Sequence, residues 1–247
     1  MRAISKYTTR RKNMNVLAIA AHPDDIEYQC AGTLLKCKAR GDNVWVCTVN
    51  NGSMGHVVIM PDELKEIRKK EAAHACEIAG FNYRTCDIGD LQSYYQDREH
   101  KDRLVDIIRE ANPDLIFIPK PNDYMCDHIA ASKLAFDAAF MATVPHYETK
   151  FPAIDKIAVI YYMGTDGHLG FNPTEYVDIT DYYDKKIEML MCHESQEKWL
   201  REHDHVDYTE ELRITAEFRG MQCKVKYAEA FEPCLVAHRV RTERILP

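Results

Sequence analysis

The sequence predicts an α/β fold: a Rossmann-like, mostly parallel sheet with helices on both faces, in a single domain. Three observations predict it. Strand-like and helix-like segments alternate along the chain, the pattern of a sheet covered on both sides. The first strand-like runs are continuously apolar, as strands buried on both faces are. The 247 residues suffice for one large core and contain no repeat, low-complexity segment or interdomain linker.

The elements follow in order. The first 13 residues, with Arg2, Lys6, Arg10, Arg11 and Lys12, read as a basic, solvated tail ahead of a domain that fills the rest of 1–247. Residues 15–21 (NVLAIAA) form the first buried strand, and 27–40 a helix with Gly41 at its C′ position. The second strand is 43–49 (NVWVCTV), and the polar loop 50–56 follows it at the same sheet edge. Pro61 suits a first helical turn, 62–79 has helical composition, and Gly80 stops it. Residues 83–88 make a third strand. The helix 98–111 turns Leu104, Ile107, Ile108 and Ala111 inward and Arg103, Asp106 and Arg109 outward. A short strand, 115–118, closes at Pro119, and a helix runs over 129–142. Residues 156–162 make a fifth strand, 181–195 and 208–221 are helical, and 225–231 is a last strand. Strand order does not follow from these segments.

Composition narrows the function. With 46% hydrophobic and 29% charged residues the chain has the make-up of a soluble globular protein. A net charge of -7 disfavours nucleic acid as a partner. No apolar run is long enough to span a bilayer. Residues 14–21 follow basic residues, as the core of a signal peptide would. They run straight into His-Pro-Asp-Asp without a cleavage site, so they read as the first strand. Nine cysteines, an odd count with no C-x-x-C pair, fit reduced thiols in the cytoplasm.

The chemistry gathers at the strand-to-helix turn Ala20-Ala21-His22-Pro23-Asp24-Asp25. Such a turn lies at the carboxyl edge of an open sheet, where ligands bind. Pro23 stiffens it. Two readings fit: Asp24 and Asp25 cap the helix beside a turn histidine, or His22 and Asp25 bind a metal with Asp24 as base. Asp127 and His128 follow the fourth strand and reach the same edge. His22, Asp25 and His128 together would make a two-His, one-carboxylate site with a position left open for water. Asp127 is placed to orient an imidazole, and it also suits a helix N-cap. These ligand types accept Zn2+ and equally Fe2+.

At these residues the sequence resembles the PIG-L/LmbE-like zinc N-deacetylases. The family's A-H-P-D-D-E stands here as Ala21-His22-Pro23-Asp24-Asp25-Ile26-Glu27, with the acid one place later, and its H-P-D-H as Met125-Cys126-Asp127-His128. Supporting matches are Asn51-Gly52, Arg68-Lys69-Lys70-Glu71-Ala72, Lys186 with His193-Glu194-Ser195-Gln196, and Ala228-Glu229-Ala230-Phe231, so the likeness covers most of 15–232. The resemblance implies zinc on His22, Asp25 and His128, Asp24 as general base, Arg68 on substrate, and removal of an acetyl group from an N-acetylated amino sugar or its conjugate. One position departs: the family's first H-P-D-H histidine, an oxyanion partner or acid, is Met125, whose thioether cannot donate a hydrogen bond. His168, in a Gly-rich loop, is the expected replacement, with Tyr124 as the alternative.

Other histidines read more plainly. His203-Asp204-His205 lies among charges and reads as solvated. His193-Glu194 is not H-E-x-x-H, because position 197 is Glu, so His193 reads as structural. His56 and His146 read as loop residues. A non-catalytic metal- or sugar-binding protein of the same fold is the competing function. A nucleotide-binding protein is disfavoured because no Gly-rich turn follows the first strand. Assembly into a homo-oligomer stays open.

Overall fold

The computed structural model of the chain describes residues 13–164, 166–168 and 170–247. The basic start of the sequence lies outside the described residues. Seven strands form a sheet in the order β3-β2-β1-β4-β5-β7-β6. They are β1 (Asn15–Ala20), β2 (Asn43–Asn50), β3 (Asn82–Ile88), β4 (Leu115–Ile118), β5 (Val159–Tyr162), β6 (Glu175–Asp178) and β7 (Ala228–Pro233). The first five run parallel, and β7 pairs antiparallel with both β5 and β6.

The helices are α1 (Asp25–Gln29), α2 (Ala31–Arg40), α3 (Pro61–Ala79), α4 (Arg98–Ala111), α5 (Cys126–Met141), α6 (Tyr183–Leu190), α7 (Glu194–Trp199) and α8 (Tyr208–Cys223). Strand β1 shows why both faces are covered. Val16, Ala18 and Ala20 pack on one side with Leu34 of α2, Ala75 of α3, Met189 of α6 and Leu212 of α8. Leu17 and Ile19 pack on the other with Leu104 of α4 and Leu134 of α5. Side chains of a strand alternate between faces, so a strand apolar throughout must be covered twice.

Several expectations are corrected. The helix predicted over 27–40 breaks at Cys30, whose φ is -146°. The break frees the first amides of α2, and Glu229 of β7 accepts from Gly32 and Thr33 at 2.9 and 2.7 Å. Lys186 of α6 pairs with Glu229 at 2.6 Å and donates to the Tyr28 carbonyl at the end of α1. The two halves are therefore held by one buried ion pair. The helix predicted over 181–195 is likewise split into α6 and α7. Helix α5 starts at Cys126, earlier than predicted, so Asp127 and His128 lie in its first turn and Asp127 is not the N-cap. Arg109 points inward: it donates to the carbonyls of Ala142, Val144 and Phe151, which wrap over α4. Strand β6 lies in a stretch to which the sequence assigns no element, and the last strand begins at Ala228 rather than 225.

The chain moves outward from β1 to β2 and β3, then crosses back to β4 on the other side of β1. The carboxyl ends of β1 and β4 therefore flank the point where strand order reverses, the place where open sheets bind ligands.

Candidate active site

Two segments leave these strand ends. Residues 21–25 follow β1, and 119–128 lead from β4 into α5. They meet in a cavity of about 570 Å³ lined by His22, Asp24, Asp25, Arg68, Asp127 and His128, among others. These are the site residues predicted from sequence, except His168.

The turn after β1 is shaped by its own backbone. Asp24 has φ 102°, a conformation rare outside glycine. It is held by Tyr28 N on its carbonyl at 3.0 Å and by Arg68 Nη2 on the Pro23 carbonyl at 2.6 Å. Asp24 precedes α1 but makes no capping hydrogen bond with its side chain. Asp25 instead accepts from His22 N at 2.8 Å, which folds the turn back on itself.

The two imidazoles are oriented by opposite nitrogens. His22 Nε2 lies 3.2 Å from Asp127 Oδ2, and its Nδ1 lies 3.9 Å from Asp25 Oδ2. His128 Nδ1 lies 3.2 Å from Asp123 Oδ2, and its Nε2 lies 3.6 Å from Asp25 Oδ1. Each ring thus has a carboxylate on its outer nitrogen and turns its inner nitrogen towards Asp25. This is the arrangement of metal-bound histidines, whose second nitrogen is fixed by an acceptor. His22, Asp25 and His128 bring one ligand atom each within 4.8 Å of the others. The electrostatics agree. Burial opposes a proton on His22, but Asp127, Asp25 and Asp90 outweigh it and raise its pKa, so the local field favours positive charge. The residues fit a divalent ion.

Asp127 orients His22, its partner across the cavity, rather than the neighbouring His128. It also accepts from Leu91 N at 2.9 Å. Burial raises its pKa, but the bonds from His22 and the Leu91 amide prevail and lower it, keeping the carboxylate charged. Asp123 and Asp90 were not apparent from sequence. Asp90 accepts from Gly52 N and Met54 N, both at 2.8 Å, and fixes the loop after β2. Its only signal was its place just past the end of a strand on the same edge.

Asp24 is buried, and Arg68 Nη2 lies 3.1 Å from its Oδ2. Burial drives the Asp24 pKa up, with Asp25 adding to it, while Arg68 and His193 pull against them; the net shift is upward. A carboxylate moved towards neutral pH is suited to act as a base. Arg68 faces inward, on Pro23, Gly52 and Asp24, with its side chain only 4% exposed. Behind it His193 Nε2 lies 3.3 Å from Glu27 Oε2, both buried, so the structural reading of His193 fits.

His168 does not line this cavity. Its Nε2 lies 3.1 Å from Thr215 Oγ1 of α8, and it borders a separate pocket of about 20 Å³ with Phe171, Lys186 and Arg219. The loop reaches the sheet edge but packs on α8, where Thr215 engages the ring. Met125 does line the main cavity.

Comparison with known proteins agrees with this arrangement. The family model described as PIG-L, GlcNAc-PI de-N-acetylase, matches residues 17–139. Diacetylchitobiose deacetylase of Thermococcus kodakarensis is 30% identical over 239 residues, covering 90% of this chain and 85% of that one. The chain belongs to the PIG-L family. The structure of N,N'-diacetylchitobiose deacetylase from Pyrococcus horikoshii, bound to an inhibitor, superposes with a TM-score of 0.76 at 26% identity, covering 88% of this chain and 82% of that one. Not every relative of this PIG-L member is named a deacetylase: 4-oxalmesaconate hydratase of Pseudomonas putida is 26% identical over 76% of this chain and 78% of its own. The matched segment 17–139 ends before α6, α7 and α8, although α8 contributes to the cavity wall.

Proposed function

We propose that the chain removes the acetyl group from N-acetylated amino sugars or their conjugates by metal-dependent hydrolysis of the amide. The observation that carries this reading is Asp24, a buried carboxylate outside the ligand set and next to it in the same cavity. A binding module has no use for a base at that place.

His22, Asp25 and His128 would hold the metal, zinc in the first instance and Fe2+ by the same ligand types. A divalent ion there polarises the amide carbonyl and acidifies water. Asp24 takes a proton as water adds to the carbonyl carbon. It delivers that proton to nitrogen as the C–N bond breaks, giving the amine and acetic acid. Arg68 sets the position of Asp24 and restrains its upward pKa shift, and it lines the cavity in which the substrate contact expected from sequence would be made.

The hydratase relative offers a second activity. Against it stands the acidic mouth of the cavity, which carries the exposed Asp204 and Glu211. Away from the ion itself, those carboxylates disfavour a carboxylated substrate relative to a neutral amino sugar. Cytoplasmic residence belongs to the same proposal. Among the described residues all nine cysteines are free thiols and no helix is long and apolar enough to cross a membrane.

Acetate release from N-acetylglucosamine and diacetylchitobiose tests the reading. Asp24→Asn is expected to keep its metal and lose roughly 10²–10⁴-fold in turnover, the range for a positioned base. An unchanged rate in Asp24→Asn would hand the proton transfer to another group.

A further inference from the structure

The cavity lacks the donor that Met125 replaces, and a residue from a distant part of the chain stands where one is needed. Tyr208 opens α8 and lines the cavity with His22, Asp24 and Asp25. Asp207 fixes the start of that helix by accepting from Thr209 N and Glu210 N, both at 3.1 Å. The Tyr208 ring stacks on Tyr28 of α1, with centroids 5.5 Å apart and planes 15° from parallel. Tyr208 thus shares one wall of the cavity with Asp24 and Asp25 and lies within range of both charges.

Tyr28, Gln29 and Gln196 also carry donors on this wall, and Tyr28 is the ring on which Tyr208 stacks. Tyr124 stands on the rim and is 84% exposed. Arg68 is engaged by Pro23, Gly52 and Asp24. Met125 offers no donor.

Building on the deacetylase reading, we propose that Tyr208 is a catalytic hydrogen-bond donor to the reacting amide during hydrolysis. As water adds to the carbonyl carbon and Asp24 takes its proton, the amide oxygen gains the negative charge of the broken C=O π bond, and the phenol O–H donates to it. Tyr208 transfers no proton: water supplies the hydroxyl of acetic acid, and Asp24 carries the proton to the amine. An ordinary phenol keeps its hydrogen near neutral pH, so Tyr208 is available as a donor. A donor aimed at charge that develops during reaction is typically worth roughly 10²–10³-fold.

Tyr208→Phe removes the hydroxyl and keeps the ring on Tyr28. The expected result with diacetylchitobiose is a kcat lower by roughly 10²–10³-fold, with KM, metal content and melting temperature near those of the wild type. A glucosamine derivative carrying a tetrahedral methylphosphonyl group in place of acetyl mimics the charged state, and its affinity should fall in parallel while that of glucosamine does not. Met125→His in the Tyr208→Phe background should return at least about tenfold in kcat, on the scale of one restored donor; a packing defect would not respond. Wild-type kcat and inhibitor affinity in Tyr208→Phe, or a loss that tracks metal content or melting temperature, would overturn the assignment and leave the deacetylase reading standing. A wild-type protein that releases no acetate from either sugar would overturn both.

Discussion

Arg68 and Asp24 form a buried pair, Nη2 to Oδ2 at 3.1 Å, and the same guanidinium nitrogen donates to the Pro23 carbonyl at 2.6 Å. One arginine on α3 thus fixes the charge of the proposed base and the strained turn that presents it. The arrangement depends on Gly52, at φ +76°, over which the Arg68 side chain lies.

A Cβ at Gly52 would come within 2.7 Å of Arg68 Cδ and Nε. Gly52→Ala should therefore displace the guanidinium as well as strain a left-handed residue by about 1–2 kcal/mol. The expected phenotype is retained metal and at least about tenfold lower turnover, on the scale of a lost positioning contact. Acetate release and elemental analysis on one preparation check it, and full activity in Gly52→Ala would show that Arg68 can move without consequence.

The pair behind Arg68 gives a pH dependence. Burial opposes charge on His193, but Glu27, with Asp24 beyond it, prevails and raises its pKa above the ordinary value of about 6.5. The folded state then binds a proton more tightly than the unfolded chain. Its contribution to stability is full below the unfolded pKa and fades as pH rises through the raised folded one. Glu27→Gln should lower the melting temperature more at pH 6 than at pH 8, because without its partner the histidine simply sheds the proton. Equal shifts at both pH values would show that His193 is neutral in the native protein.

Lys186 and Glu229 test the hinge between α1 and α2. Lys186 is only 2% exposed, so Lys186→Met leaves Glu229 a buried carboxylate without its cation, held only by the Gly32 and Thr33 amides. Breaking such a pair costs about 3–5 kcal/mol. Urea unfolding should show that loss, and Lys186→Met with Glu229→Gln should recover part of it. No recovery in the double variant would mean that Lys186 stabilises through the Tyr28 carbonyl instead.

How far these residues were legible depended on the range of the interactions that place them. The β1 run and the His-Pro-Asp-Asp turn are local, and the sequence pattern gave both. His22 and Asp25 were legible in the turn just past β1, and His128 at the start of the helix that follows β4. Arg109 was misread because helical spacing reports only the helix itself. The carbonyls that draw it inward belong to the segment after α5. The antiparallel pairing of β6 with β7, the break at Cys30 and the packing of His168 on Thr215 are tertiary in the same sense. Tyr208 carries no motif; its role emerges only when α8 folds over the motif turn.

The last prediction concerns the choice of metal ligands, since a second grouping, His22 with Asp90 and Asp127, also brings one ligand atom each within 4.8 Å of the others. Its carboxylates are already committed. Asp90 gives one oxygen to Gly52 N and the other to Met54 N, and Asp127 Oδ2 serves both Leu91 N and His22. In the first grouping only Oδ2 of Asp25 is bonded to backbone, at His22 N, while Oδ1 faces the inner nitrogen of His128, whose outer nitrogen Asp123 orients. Asp25→Ala and His128→Ala should therefore empty the site after dialysis. Asp127→Asn should weaken metal affinity about 10–100-fold, as loss of a partner that orients a ligand does. Asp90→Asn should loosen residues 52–54 and leave the metal in place. Elemental analysis and competition with a chromogenic chelator read all four variants. A metal-free Asp90→Asn beside a fully loaded His128→Ala would move the ion to the second grouping, towards Asp90.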